Sequence, residues 1–219
     1  MGFGLLFYGF LMTFDIMVRT QAMAEVGIDI FPDLAGYLLM LAAANRLDGY
    51  ARGFSLFKKA LYPLIAVGAL TLLVGYASIF GEMLSLLETL TRYLKLATLL
   101  FQGVAFFFLF AGIISLASEV ELPGIASRAR FVAATGVVYY SFQTILTVTA
   151  LLPLPISSQT LSPFMTASML IGMFFLIFGE VVLFNCYRYI CYEGEEQLKP
   201  GDAVNPLANA LNKLFGKNK

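Results

Sequence analysis

Apolar positions along this chain do not alternate with a period of two or gather on one helical stripe. They run together in blocks. Four blocks are as long as the roughly 20 residues that carry a helix across a bilayer: about 60–81, 96–117, 131–154 and 163–187. Two more are less clean. Residues 2–18 contain Asp15 and are expected to continue as helix past Arg19, and residues 30–45 are short and need the IDIF lead-in. The pattern predicts an all-α, polytopic membrane helix bundle of about six transmembrane helices.

Composition agrees with the pattern. The chain of 219 residues is 59% hydrophobic and 13% charged, and its mean hydropathy is +0.82, against about 25% charged residues in an ordinary globular chain. Fourteen basic and fourteen acidic residues cancel, so no overall charge recruits nucleic acid. Their distribution is informative. If the N-terminus is inside, the inner segments hold eleven Lys and Arg (Arg46, Arg52, Lys58, Lys59, Arg128, Arg130, Arg188, Lys199, Lys213, Lys217, Lys219), and the outer segments hold three (Arg19, Arg92, Lys95). Short inner loops are enriched in basic residues, so the split predicts an N-in, C-in orientation. The first 18 residues lack a basic leader and read as a retained first span.

The loops are too short for a separate soluble domain. The expected organisation is a six-helix transmembrane domain over 1–190 and a cytoplasmic tail over 191–219. In the tail, Asn205 and Pro206 can open an amphipathic helix carrying Leu207, Leu211, Leu214 and Phe215. Residues 82–95 also share an apolar helical face. Joined to the next block they would make a helix of 36 residues, about 54 Å long, so a sharp break or an interfacial helix is expected there. AGYLLMLAAANRLDGYAR, from Ala35, echoes AGIISLASEVELPGIASR, from Ala111, as a faint internal repeat.

Histidine is absent, which removes the commonest general base and metal ligand. No metalloprotease, nucleophile-elbow or phosphate-loop motif is present. Cys186 and Cys191 are too few for a disulfide framework; five apart, they point in different directions on a helix, and a pair alone is not a zinc site, so they read as free thiols on a reducing side. The expectation is a protein without enzymatic activity, cofactor or metal.

Chemistry then rests on polar groups near hydrocarbon, which default to functional hypotheses because a charge at mid-bilayer costs about 2.5–3.5 kcal/mol on insertion scales. Asp15, Asp29, Asp33 and Glu180 are the candidate substrate- or ion-binding residues, with Gln102, Gln143 and Asn185 in support. Asp15 can instead pair with Arg19 one turn on. Asp29 and Asp33 can cap a helix that opens at Pro32. If the helix starts before Asp29, then Asp29, Asp33, Gly36, Met40 and Ala43 share one face. Both acids then join Asp15 and Glu25 in an outward vestibule for a cation or cationic solute. Glu180 lies past the middle of the last span, with Ser168, Gly172 and Gly179 on or beside its face. It is expected to be neutral, or paired with Gln102, Gln143 or an inner-loop Lys or Arg.

At IDIFPDLAGYLLM, followed by a basic inner loop, the chain resembles small uncharacterised multi-spanning membrane proteins of Gram-positive, clostridial-type bacteria. The likeness implies a bacterial plasma membrane. The plan of six spans and the chain length are also similar to substrate-binding subunits of energy-coupling-factor transporters. Together these point to a small-solute or cation transporter, or a transporter subunit. Its expected partners are the bilayer, a small cationic solute or ion, and a partner subunit or a second copy. The competing expectation is a structural, sensory or assembly protein whose acids only cap and pair.

Overall fold

A computed structural model describes residues 2–13, 17–18, 28–29, 33–80, 84–152 and 158–190, with side chains at all of these except 17–18, 28–29, 75–80, 84–88 and 158–161. Among the described residues the chain is an all-helical bundle of six helices. These are α1 (Gly2–Met12), α2 (Asp33–Leu47), α3 (Arg52–Phe80), α4 (Leu84–Glu119), α5 (Pro123–Leu151) and α6 (Ser158–Tyr189). A two-residue antiparallel bridge, β1 (Met17–Val18) with β2 (Ile28–Asp29), lies between α1 and α2.

Helices α3 to α6 are long and apolar enough to cross a membrane, whereas α1 and α2 have 11 and 15 residues, about 16 and 22 Å at 1.5 Å per residue. The first helix does not continue past Arg19. Thr13 ends it, its backbone N–H and its hydroxyl both donating to the Phe10 carbonyl at 3.2 and 2.8 Å. That places the turn inside the first apolar block and leaves Met17 and Val18 to the bridge.

The break expected near residue 95 is also absent. Residues 84–119 form one helix of 36 residues, because nothing between Leu84 and Gln102 interrupts it: there is no Pro and no Gly, and leucine, a good helix former, predominates. The helices α3 and α6 likewise begin before their apolar blocks, at Arg52 and Ser158, and run through Pro63 and Pro163.

Two tight turns stand at one end of the bundle. After α2, Gly49 adopts φ +110°, a conformation that side chains resist. After α4, Glu121 takes φ 56°, and the Leu122 N–H donates back to the Ala117 carbonyl at 2.8 Å. This is a left-handed helix cap in which Glu121 occupies the position usually given to glycine. Leu122 then leads directly into α5, with Pro123 suited to its first turn.

Each helix packs on the next in sequence, and α6 returns to α1, so the six close into a ring. Glycines set the closest approaches. A Cβ on Gly9 would lie 2.9 Å from the Gly36 carbonyl, and one on Gly36 would lie 2.8 Å from that of Gly9. A Cβ on Gly53 would collide with the backbone of Gly112, so α3 and α4 cross backbone to backbone, as small residues allow in membranes. Gly36 and Gly112 hold matching places in the faint repeat. The helix ends do not match: α2 runs to Leu47, while α4 ends at Glu119, the partner of Ala43.

The middle of the ring is filled by aromatic side chains. Phe10 of α1 meets Phe106, Phe110 and Phe175 at ring centroid distances of 5.1, 6.2 and 5.6 Å, and Phe175 also touches Tyr140 of α5 at 5.8 Å. The cleft beside them, bounded by Gly103, Gly136 and these rings, leaves no room for a water molecule.

The outer surface is apolar too. On α6, Met165, Met169, Phe174 and Ile177 are all more than half exposed, a surface that only lipid or another apolar partner can cover. With four helices of spanning length, the chain is a multi-pass integral membrane protein in contact with lipid.

Candidate functional site

The opening acids are reached first along the chain. Asp15, Glu25 and the side chain of Asp29 lie outside the described residues, as do Cys191 and the tail over 191–219 with its amphipathic segment. The backbone of Asp29 is described, in the bridge, paired with Met17. Helix α2 starts at Asp33, so Asp29 is not part of the helical stripe drawn through it. Only Asp33, Gly36, Met40 and Ala43 share that stripe, and the last three are buried.

Asp33 does not stand alone. The Tyr37 hydroxyl, one turn on, donates to its Oδ2 at 3.4 Å, and Gln102 Nε2 of α4 donates to the same hydroxyl at 2.6 Å. Tyr37 is completely buried and Gln102 nearly so. The ring of Tyr37 lies 3.5 Å from the Cβ site of Gly68, so α2, α3 and α4 together hold the hydroxyl in place. A polar chain, Gln102 to Tyr37 to Asp33, therefore runs between helices near the end of the bundle opposite the tight turns. Gln102 was foreseen as a polar group; its partner was not. The available signal was a tyrosine four residues after an aspartate in an otherwise apolar helix.

Glu180 is at a different level. Its neighbour Gly179 abuts Phe10 and Phe110, and Gln102 lies two turns before Phe110, about 12 Å along α4. The rings of Phe106, Phe110 and Phe175 fill the space between. Glu180 therefore does not pair with Gln102, and the same holds for Gln143 and for the basic residues of the turns. Both carboxylate oxygens are shielded from solvent and neither has a hydrogen-bond partner among the described residues. Phe184 and Tyr187, four and seven residues on, contact Phe7 and Gly4 of α1, which sets Glu180 along the seam where the ring closes. Ser168, Gly172 and Gly179 pack as expected: Ser168 is fully buried, and Gly172 lies against Tyr139 of α5.

The remaining supporting residues separate from Glu180. Gln143 is half-buried on α5, one turn beyond Tyr140. Asn185 lines an open groove of about 330 Å³ with Arg128 and Tyr189 at the end of the bundle that carries the tight turns. Arg188 lies over the Tyr189 ring at 5.2 Å. At the same end, Lys58 pairs with Asp48 at 2.7 Å, and the ammonium beside it holds the Asp48 carboxyl below its ordinary value. Cys186 is a buried free thiol.

Beside the Asp48–Lys58 pair, the described residues offer three polar places: the Asp33 chain, the shielded carboxylate of Glu180, and the Arg128 groove. Among the described residues no three His, Cys, Asp or Glu side chains gather as a metal site would require. Comparison with protein-family models, with curated proteins and with solved structures finds no match to this chain.

Proposed function

We propose that this protein is a small bacterial plasma-membrane transporter, or the membrane subunit of one, that handles a proton or a cationic solute and has no enzymatic activity of its own. The observation that carries the reading is the shielded carboxylate of Glu180, without a hydrogen-bond partner among the described residues. A carboxylate removed from water without a partner is costly, and an ionisable residue inside a membrane usually serves the passage of charge. The missing partner is a proton, the cationic group of a solute, or a group from another subunit.

The Asp33, Tyr37 and Gln102 chain supplies a second polar station. On the N-in, C-in orientation supported by the basic residues, Asp33 is at the outer end and Glu180 is in the inner half. The likeness of IDIFPDLAGYLLM to clostridial-type membrane proteins supports a Gram-positive plasma membrane.

Two experiments test the reading. In proteoliposomes with an imposed gradient and an internal pH dye, the wild type is expected to give a pH-dependent flux. Glu180→Gln should abolish it and Asp33→Asn should reduce it, both with unchanged melting. Flux retained in Glu180→Gln overturns the relay. For orientation, Ser85→Cys should react with an impermeant maleimide applied to intact cells, and Ser55→Cys should react only after lysis.

A second reading has its own support. The aromatic cleft bounded by Gly103, Phe106, Phe110, Tyr140 and Phe175 has no room for a water molecule, which suits a structural, sensory or assembly subunit. That reading expects no flux from the protein alone.

A further inference from the structure

The groove between the start of α5 and the end of α6 belongs to neither polar station. Leu122, Pro123, Gly124, Ile125 and Arg128 form one side, and Asn185 with Tyr189 forms the other. Among the described residues nothing lies within 4 Å of the Cβ site of Gly124, at the mouth of the groove. Arg128 is exposed, and Arg188 is held against the Tyr189 ring. Seven described basic residues share this end of the bundle: Arg46, Arg52, Lys58, Lys59, Arg128, Arg130 and Arg188. The described acids there are Asp48, Glu119 and Glu121. Asp48 is engaged with Lys58, and neither glutamate lines the groove.

The groove opens onto an apolar seam. Phe131, one turn after Arg128, meets Phe178 edge to face at 5.5 Å, and Phe174 stacks on Phe178 at 6.2 Å. All three rings are exposed, as is Val181, one turn before Asn185. A polar, positively charged recess thus sits at the head of an exposed hydrocarbon-like track. The ligand that matches both parts has an anionic head and a long apolar tail. Basic pockets between transmembrane helices at the inner surface hold such headgroups.

We infer that the Arg128–Asn185–Tyr189 groove is a docking site for an anionic phospholipid. The phosphate faces Arg128, the headgroup hydroxyls reach Asn185, and an acyl chain lies along the Phe131–Phe178 seam. The lipid bridges α5 to α6 at the end where no loop joins them.

The test uses the full chain purified in detergent, with melting temperature and native mass spectrometry as readouts. Phosphatidylglycerol is expected to raise the melting temperature and remain bound, whereas phosphatidylcholine and inorganic phosphate do neither. Arg128→Gln should weaken phosphatidylglycerol binding about fivefold, the loss expected for one basic group at a membrane surface. Gly124→Asp supplies a second arm. A carboxylate in the first turn favours the helix, so this variant should fold at least as well as wild type while repelling the headgroup. If Arg128→Gln does not fold, Gly124→Asp decides alone. Equal stabilisation by phosphatidylcholine overturns the proposal, as does stabilisation by phosphate alone or undiminished binding in Gly124→Asp.

Discussion

The hydroxyl of Tyr37 serves two helices at once, accepting from Gln102 and donating to Asp33. Tyr37→Phe would leave the Gln102 amide without its 2.6 Å acceptor, at about 1–3 kcal/mol for a buried polar group. Adding Gln102→Leu should recover much of that loss, because the orphaned amide is then gone. A double-mutant cycle by denaturation in detergent checks this, and additive losses would remove the interaction from the account. Glu121 makes the opposite case. Its left-handed backbone is strained for any side chain, so Glu121→Gly should raise stability by about 0.5–1 kcal/mol, visible as a higher melting temperature. The Asp48 carboxyl is depressed by the Lys58 ammonium, so the pair contributes above the unfolded carboxylate value, near pH 4, and the contribution fades as pH falls through the folded one. Asp48→Asn should therefore cost a little stability at neutral pH, and the gap between the two melting curves should narrow as pH falls below about 4. At this scale the sequence revealed which groups are polar but not which ones meet. Glu180 stood out in an apolar run, yet its lack of a partner among the described residues depends on how α4 and α6 align through Phe110 and Gly179, which no local pattern encodes.

Among the elements, the long helices were legible because uninterrupted apolar runs leave few alternatives in a membrane. Their ends were not. Arg52 to Lys59 looked like a basic loop, but Phe54 and Phe57 are fully buried, so packing carries α3 through a charged stretch. Thr13, by contrast, stops α1 within an apolar one. Helix contacts followed small residues, and their demands differ sharply. Gly53→Ala would drive a methyl into the backbone of Gly112 and is expected to cost about 1–3 kcal/mol, in the range for overpacking. Gly68→Ala meets the Tyr37 ring at 3.5 Å and Leu34 at 3.7 Å, ordinary contact distances, and should be neutral or stabilising, since alanine is the better helix former. Parallel melting of the two variants separates close approach from propensity; equal losses would refute the backbone crossing.

For the whole molecule, the aromatic centre does the work that a polar channel would preclude. Phe175 touches rings from α1, α4 and α5, and Phe175→Ala should cost about 3–5 kcal/mol, as large buried truncations do. Phe174, beside it but 56% exposed, should tolerate alanine with a loss below about 1 kcal/mol. Thermal unfolding in one detergent compares them directly. The ring also dictates an order of manufacture. Helices packed in chain order can assemble as they leave the ribosome, each settling on the one before. The newborn first helix, however, keeps one flank open until the last helix arrives to cover Phe7 and Phe10. A chain cut anywhere ahead of α6 is a bracelet without its clasp, presenting a bare aromatic edge to whatever proteases inspect unfinished membrane proteins.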